Sequence, residues 1–168
     1  KNVPTQTITA GGVTFAYREL GKQHGGTPVV LLTHLAAVLD NWDPRIVNGL
    51  AAKHHVIAFN NRGIGGSSGS PASSMEQMAD DAITFIKGKG LTQVDLFGFS
   101  MGGMIAQEIV LKEPQLVRKM ILAGTGWGAT LAVQYLLEHA ERVQRMIPEA
   151  PAAIWAPAWP ETINPAAR

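Results

Sequence analysis

The chain has no cysteine in its 168 residues. That excludes a disulfide framework, a zinc–thiolate centre and a cysteine nucleophile. Charge is also scarce. Asp, Glu, Lys and Arg make up 16% of the residues, against about 25% in an average soluble domain. The 14 basic and 13 acidic residues nearly cancel, for a net charge of +1. Such a balance leaves no electrostatic footprint for nucleic acid, and no run of like charges marks a tail. No uninterrupted apolar run approaches the ~18 residues of a membrane span. Lys1 to Ala10 alternates polar and apolar residues and lacks the apolar stretch of a signal peptide. The chain does not begin with Met, which implies processing or trimming. The expectation is a cytoplasmic protein without nucleic-acid or membrane partners. Apolar content, at 46%, is ordinary. Low charge beside ordinary apolar content implies either a chain rich in Gly and Ala or surface meant to be covered.

What is present reads as one domain, since a domain takes roughly 100–200 residues. Thr7 to Ala10 and Val13 to Leu20 form a hairpin around Gly11-Gly12. Val29 to Thr33, His55 to Phe59, Val94 to Phe99 and Val117 to Ala123 are short continuous apolar runs, as in strands buried on both faces. Helices are predicted between them. One runs from Pro44 to Ala52, with proline at its first position. A second opens at the capping-box pattern Ser73-Ser74-Met75-Glu76-Gln77 and stops near Gly88. A third covers Met101 to Lys112 and ends before Pro114. Alternation of this kind gives the α/β class, a mostly parallel sheet with helices on both faces.

The character changes after Gly124. Leu131 to Ile147 has helical apolar spacing, and Pro148 to Pro165 holds five prolines and two tryptophans. The predicted division is a core over residues 1–126, then a cap-like helix and Pro-rich tail over 127–168. The apolar stripe of this second part suits a dimer contact, and Trp127, Trp155 and Trp159 suit packing or an apolar substrate site.

Gly98-Phe99-Ser100-Met101-Gly102 fits G-x-S-x-G between a predicted strand and a predicted helix. In that context the pattern reads as a nucleophile elbow. A serine in a strained turn needs neighbours without bulk where backbones come close. The following helix N-terminus favours a developing oxyanion. Gly124 to Ala129 fits G-x-G-x-x-A, a dinucleotide pattern. Trp127 would crowd that turn, and the stretch reads better as the hinge into the cap. His54 and His55 are adjacent on a strand, so they point to opposite faces and make no joint metal site.

With these residues in view, the chain resembles the α/β-hydrolase fold family, and within it the small esterases and cofactor-free haloperoxidases. The resemblance rests on His34-Leu35-Ala36-Ala37 as the oxyanion loop, on Asn60-Asn61-Arg62-Gly63-Ile64-Gly65-Gly66-Ser67 as the D-x-R-G-x-G-x-S loop, and on the elbow with Gly103. It covers about residues 5–126. It implies that Ser100 is the nucleophile and that the backbone N–H groups of Met101 and Leu35 hold the oxyanion. His34 would support that loop rather than act as base. Most members carry glycine where this chain has Leu35, which adds a side chain to the pocket. Asn60 replaces an aspartate and is expected to cost Arg62 a charge partner. The implied activity is hydrolysis of small carboxylic esters, with no cofactor or metal and with a perhydrolase or haloperoxidase side activity on the same residues.

The family's acid and histidine follow later strands, in the order Ser, acid, His. Neither those strands nor those residues are recognisable before Arg168. Three readings result: the chain is the N-terminal part of a longer hydrolase, His139 serves as base, or the chain is a catalytically inactive binding module. His139 is the only histidine after Ser100, and from a neighbouring subunit it would require a homo-oligomer through residues 127–168.

Overall fold

A computed structural model describes residues 3–126 and 145–151. Seven strands form one sheet. They are β1 (Gln6–Ala10), β2 (Val13–Leu20), β3 (Val29–Leu32), β4 (Val56–Phe59), β5 (Val94–Phe99), β6 (Val117–Gly126) and β7 (Arg145–Pro151). Their order is β1-β2-β4-β3-β5-β6-β7. The two edge pairings, β1 with β2 and β2 with β4, are antiparallel. All the others are parallel. The predicted hairpin is present, and Gly11 and Gly12 turn it with φ of 56° and 78°.

β3 and β4 are buried at every position, which is why they read as unbroken apolar runs. Their alternate residues feed two cores. Val30, Leu32, Ile57, Phe59 and Leu96 face α2 (Met75–Gly88) and α3 (Met101–Lys112). Val29, Leu31, Val56, Ala58 and Phe97 face Trp42 and α1 (Pro44–Ala51). The chain moves one way across the sheet through α1 and the other way through α2 and α3. Right-handed crossovers therefore put these helices on opposite faces. In the first core the Phe85 ring of α2 stacks on Phe59 at 4.3 Å between centroids and meets Phe15 edge-on at 5.6 Å.

The helix starts follow their caps. The Asp43 carboxylate accepts the Arg45 N–H at 2.8 Å. Ser74 Oγ accepts the Gln77 N–H at 3.1 Å, and Gln77 Oε1 accepts the Ser73 N–H at 3.1 Å. Ser74 is thus the cap, and Gln77 is the residue that reaches back.

One stretch corrects the sequence reading. Residues 145–147 were expected to end a helix, and no further strand was expected after it, yet Arg145–Pro151 lies in the sheet as β7. Ile121 to Gly126 of β6 pair with it in parallel. Pro148 and Pro151 hid it, because proline cannot donate to a ladder and is confined to edges and bulges. β7 bonds to one neighbour only among the described residues, and the register shifts beside Pro151. The rest of the expected cap and tail lies outside the described residues. No described helix is long and apolar enough to cross a membrane.

At the far end of the parallel strands lies a buried polar cluster. Glu19 Oε1 is 2.7 Å from His55 Nε2, and Glu19 Oε2 is 3.5 Å from Lys89 Nζ. Lys89 also donates to the Tyr17 hydroxyl at 3.0 Å and sits 4.2 Å from the centre of its ring. His54 is exposed, so the two adjacent histidines diverge. Burial pushes the Glu19 carboxyl pKa up, but the His55 hydrogen bond and the charges of Lys89 and Lys22 outweigh it and leave it lowered. A carboxylate with a lowered pKa stabilises the fold above its unfolded value of 4.5 and loses that contribution as pH falls through the folded value. Urea unfolding midpoints should therefore fall between pH 7 and pH 3.5. In Glu19→Gln they should start lower at pH 7 and fall less. An equal fall in both proteins would show that Glu19 carries no acid-sensitive stability.

Candidate active site

Ser100 sits between β5 and α3 with φ 54° and ψ −118°. A non-glycine residue at positive φ costs on the order of 1–3 kcal/mol and persists only where its surroundings fix it. Here the Ser100 N–H donates to the Ala123 carbonyl of β6 at 2.8 Å, and its own carbonyl accepts the Gly103 N–H at 2.8 Å. The glycines of the motif are required by space. A Cβ on Gly98 would stand 2.5 Å from the Gly102 carbonyl oxygen and 2.7 Å from the Gly103 Cα. One on Gly102 would collide with the Leu32 carbonyl of β3. The Ser100 side chain makes no capping bond to α3.

The loop after β3 lies beside this turn. Ala36 takes a positive φ of 56°, and the Ala37 N–H donates to the His34 carbonyl at 3.3 Å. His34 Nδ1 lies 3.1 Å from the Leu35 carbonyl oxygen. A carbonyl only accepts, so this contact places the ring proton on Nδ1. The His34 ring also stands edge-on to Phe99, 5.7 Å away. The Leu35 side chain is 70% exposed. Neither the Leu35 nor the Met101 N–H finds an acceptor among the described residues. For Met101 this follows from its place in the first turn of α3, whose N–H groups have no partner within the helix.

The loop after β4 buttresses the first. Asn60 is buried, and its Oδ1 accepts the Leu39 N–H at 2.9 Å. Its carbonyl accepts the Ser67 hydroxyl at 2.8 Å, and Ser67 in turn accepts the Ala16 N–H at 3.0 Å. Gly65 is forced by the same packing, since a Cβ there would meet Asn60 Nδ2 at 2.5 Å. An amide suits this position because its oxygen caps a neighbouring backbone without bringing a buried charge. Asn60 was expected to cost Arg62 a charge partner. Arg62 forms a bidentate pair with Asp81 of α2 instead, and this hydrogen bonding raises the guanidinium pKa. Sequence reading did not single out Asp81. The available signal was a carboxylate on the same helix face as Ala82 and Phe85, where a buried acid needs a partner.

Two cavities are lined by the chain neighbours of Ser100, one by Phe99 and the other by Met101. One, of about 310 Å³, is lined mainly by Trp42, Ile46, Phe97, Phe99 and Ala123, with His34 at its edge. The other, of about 170 Å³, is bounded by Leu35 and Met101. His139, Trp127, Trp155 and Trp159 lie outside the described residues. The dinucleotide-like stretch does not form a turn at its first glycines, because Gly124, Thr125 and Gly126 are paired along β6.

Comparison with known proteins agrees with this fold. The chain belongs to the α/β hydrolase fold family, whose model matches residues 27–128. A provisionally named non-heme bromoperoxidase, BpoC, of Mycobacterium tuberculosis is 32% identical over 114 residues, 67% of this chain and 42% of that protein. A provisionally named carbamate hydrolase, RutD, of Azorhizobium caulinodans is 32% identical over 119 residues, 70% of this chain and 43% of that protein. Among solved structures, an α/β hydrolase fold protein from Chitinophaga pinensis matches with a TM-score of 0.70 and 36% identity. That match covers 85% of this chain and 53% of the other. The chain thus spans under half the length of these two curated relatives.

Proposed function

We propose that this chain carries the nucleophile and oxyanion hole of a serine hydrolase acting on small carboxylic esters. The observation that carries the proposal is the strained, positive-φ conformation of Ser100 between β5 and α3. Strain held in place by close backbone packing serves no evident packing purpose and lifts one hydroxyl above the sheet. In the reaction Ser100 Oγ attacks the ester carbonyl carbon. The carbonyl oxygen takes the negative charge and accepts from the Leu35 and Met101 N–H groups, helped by the α3 N-terminus. A base must take the hydroxyl proton and return it to the leaving alcohol. His139 is the candidate for that base within this sequence. His34 supports the oxyanion loop through its contact with Leu35. No step requires a metal or cofactor. A carbamate, named for the RutD relative, presents the same kind of carbonyl carbon as an ester, and this similarity supports the reading.

The test is labelling with a fluorophosphonate probe at known protein concentration. Wild type should label, and Ser100→Ala should lose at least a thousandfold in rate. Retained labelling in Ser100→Ala would refute Ser100 as the nucleophile. Loss in His139→Ala would identify the base, and dependence on protein concentration would place it on a neighbouring copy. A folded wild type that does not label would instead favour a non-catalytic binding module.

A further inference from the structure

A third cavity borders neither Phe99 nor Met101. It lies at the antiparallel edge of the sheet, between β2, β4 and α1, with a volume of about 390 Å³. Arg18 and Ala58 stand directly opposite each other across β2 and β4, so both project from one face of the sheet. Tyr17 and Phe59, beside them, turn into the first core on the other face. Ala58 is the small residue in the run Val56 to Phe59, and the space beside it is walled by Leu39 and Trp42. All three are less than a tenth exposed, so the inner wall is apolar. The mouth is polar. Arg18 Nη1 donates to Asp40 Oδ1 at 2.5 Å, and Arg18 Nε donates to Thr5 Oγ1 at 3.1 Å. These bonds hold the guanidinium in place. Arg18 Nη2 and Asp40 Oδ2 have no partner among the described residues, which leaves a donor and an acceptor side by side. The Asp40 side chain is 75% exposed and that of Arg18 28%, so Asp40 marks the mouth and Arg18 lies deeper. The two charges neutralise each other. An anion would meet the Asp40 carboxylate, a cation would meet the guanidinium, and either would lose water against the apolar inner wall. A carboxamide matches the pair without net charge, because its C=O accepts and its N–H donates.

We propose that this cavity is a second ligand site, for a small neutral carboxamide with an apolar ring. The amide group meets the Arg18–Asp40 pair at the mouth, and the ring lies against Leu39, Trp42 and Ala58. The site stands apart from the serine-hydrolase reading, so Ser100→Ala should bind such a ligand as wild type does. The probe is benzamide, titrated at pH 7 into the full chain labelled with ¹³C-methyl alanine and ¹⁵N-indole tryptophan. Trp42 borders both this cavity and the one of about 310 Å³, whereas Ala58 lines only the first and Ala123 only the second. The Ala58 methyl and the Trp42 indole signals should therefore shift with saturation, and the Ala123 methyl should not. Benzoate and benzylammonium keep the ring but carry a charge, and each should bind roughly tenfold more weakly or worse. Toluene, which lacks the amide, should also bind more weakly. Asp40→Asn removes the carboxylate and leaves the guanidinium uncompensated. Benzoate should then bind roughly tenfold more tightly than it does to wild type and overtake benzamide. Ala58→Leu fills the inner end and should abolish the benzamide shift at Trp42. Asp40 is on the surface, so its variant decides the matter even where the filled one does not fold. A shift at Ala123 without one at Ala58, no shift at either, or an unchanged order of ligands in Asp40→Asn overturns the proposal.

Discussion

Replacing Gly102 with alanine is expected to prevent the chain from reaching its native state, while the same change one residue later leaves it folded. At Gly102 the new Cβ would collide with the Leu32 carbonyl, and it would also stand 2.9 Å from the Thr33 oxygen. Overpacking in a core costs about 1–3 kcal/mol when side chains can move aside. Here the obstacle is the backbone of β3, held on both sides by β4 and β5. The cost should exceed about 4 kcal/mol, a large part of the 5–15 kcal/mol by which domains are stable. At Gly103 the nearest atom to a new Cβ is Leu122 Cδ2 at 3.6 Å, an ordinary contact. There alanine should gain roughly 0.5–1 kcal/mol from helix propensity. Soluble yield and urea unfolding of the two variants decide the matter. Effects of the same sign would mean that α3 does not approach β3 as described.

The second large effect is predicted for Phe85→Ala, with a loss of about 3–5 kcal/mol. Phe85 is fully buried and joins α2 to β2 and β4 through its contacts with Phe15, Tyr17 and Phe59. Removing the ring leaves a hole that three other rings border and cannot easily close. With a urea slope of about 2 kcal/mol/M, the midpoint should fall by roughly 2 M. Leu111→Ala is the control. That side chain is 54% exposed on α3, and the change should stay within about 0.5 kcal/mol. A Phe85 effect no larger than the Leu111 effect would refute the packing.

The parts of the fold that sequence made legible are those whose reasons are local. Val29–Leu32 and Val56–Phe59 are buried on both faces, so each reads as an unbroken apolar run. Gly98 and Gly102 declare the elbow because no other residue fits beside the crossing backbones. Pairings between distant segments were not legible. Nothing beside Arg62 names Asp81, and nothing beside Glu19 names His55 and Lys89. These partners are chosen by the sheet and helix packing. β7 failed for a different reason. Its apolar residues continue a helical spacing, and its prolines argue against a strand unless it is already known to lie at an edge. At the candidate site, the motif located Ser100. The carbonyl of Ala123 that fixes its backbone comes from another strand and carries no side-chain signal.

The strand order has a consequence for how the chain acquires the strained turn at Ser100. β3 pairs with β5, joining Val29 to Asp95, a loop of about 65 residues that must close before the pairing stabilises anything. The hairpin of β1 and β2 needs no such closure and can form while later segments are still unfolded. Gly102 meets Leu32 only after the long loop closes, and Ser100 is tied down only once β6 arrives to offer Ala123. The elbow is therefore among the last features to be set during folding. In hydrogen exchange begun during refolding, the amides of Ser100 and Gly103 should gain protection after those of the hairpin. A chain halted before β6 would contain the whole motif and still lack the bond from Ser100 to Ala123 that fixes its backbone.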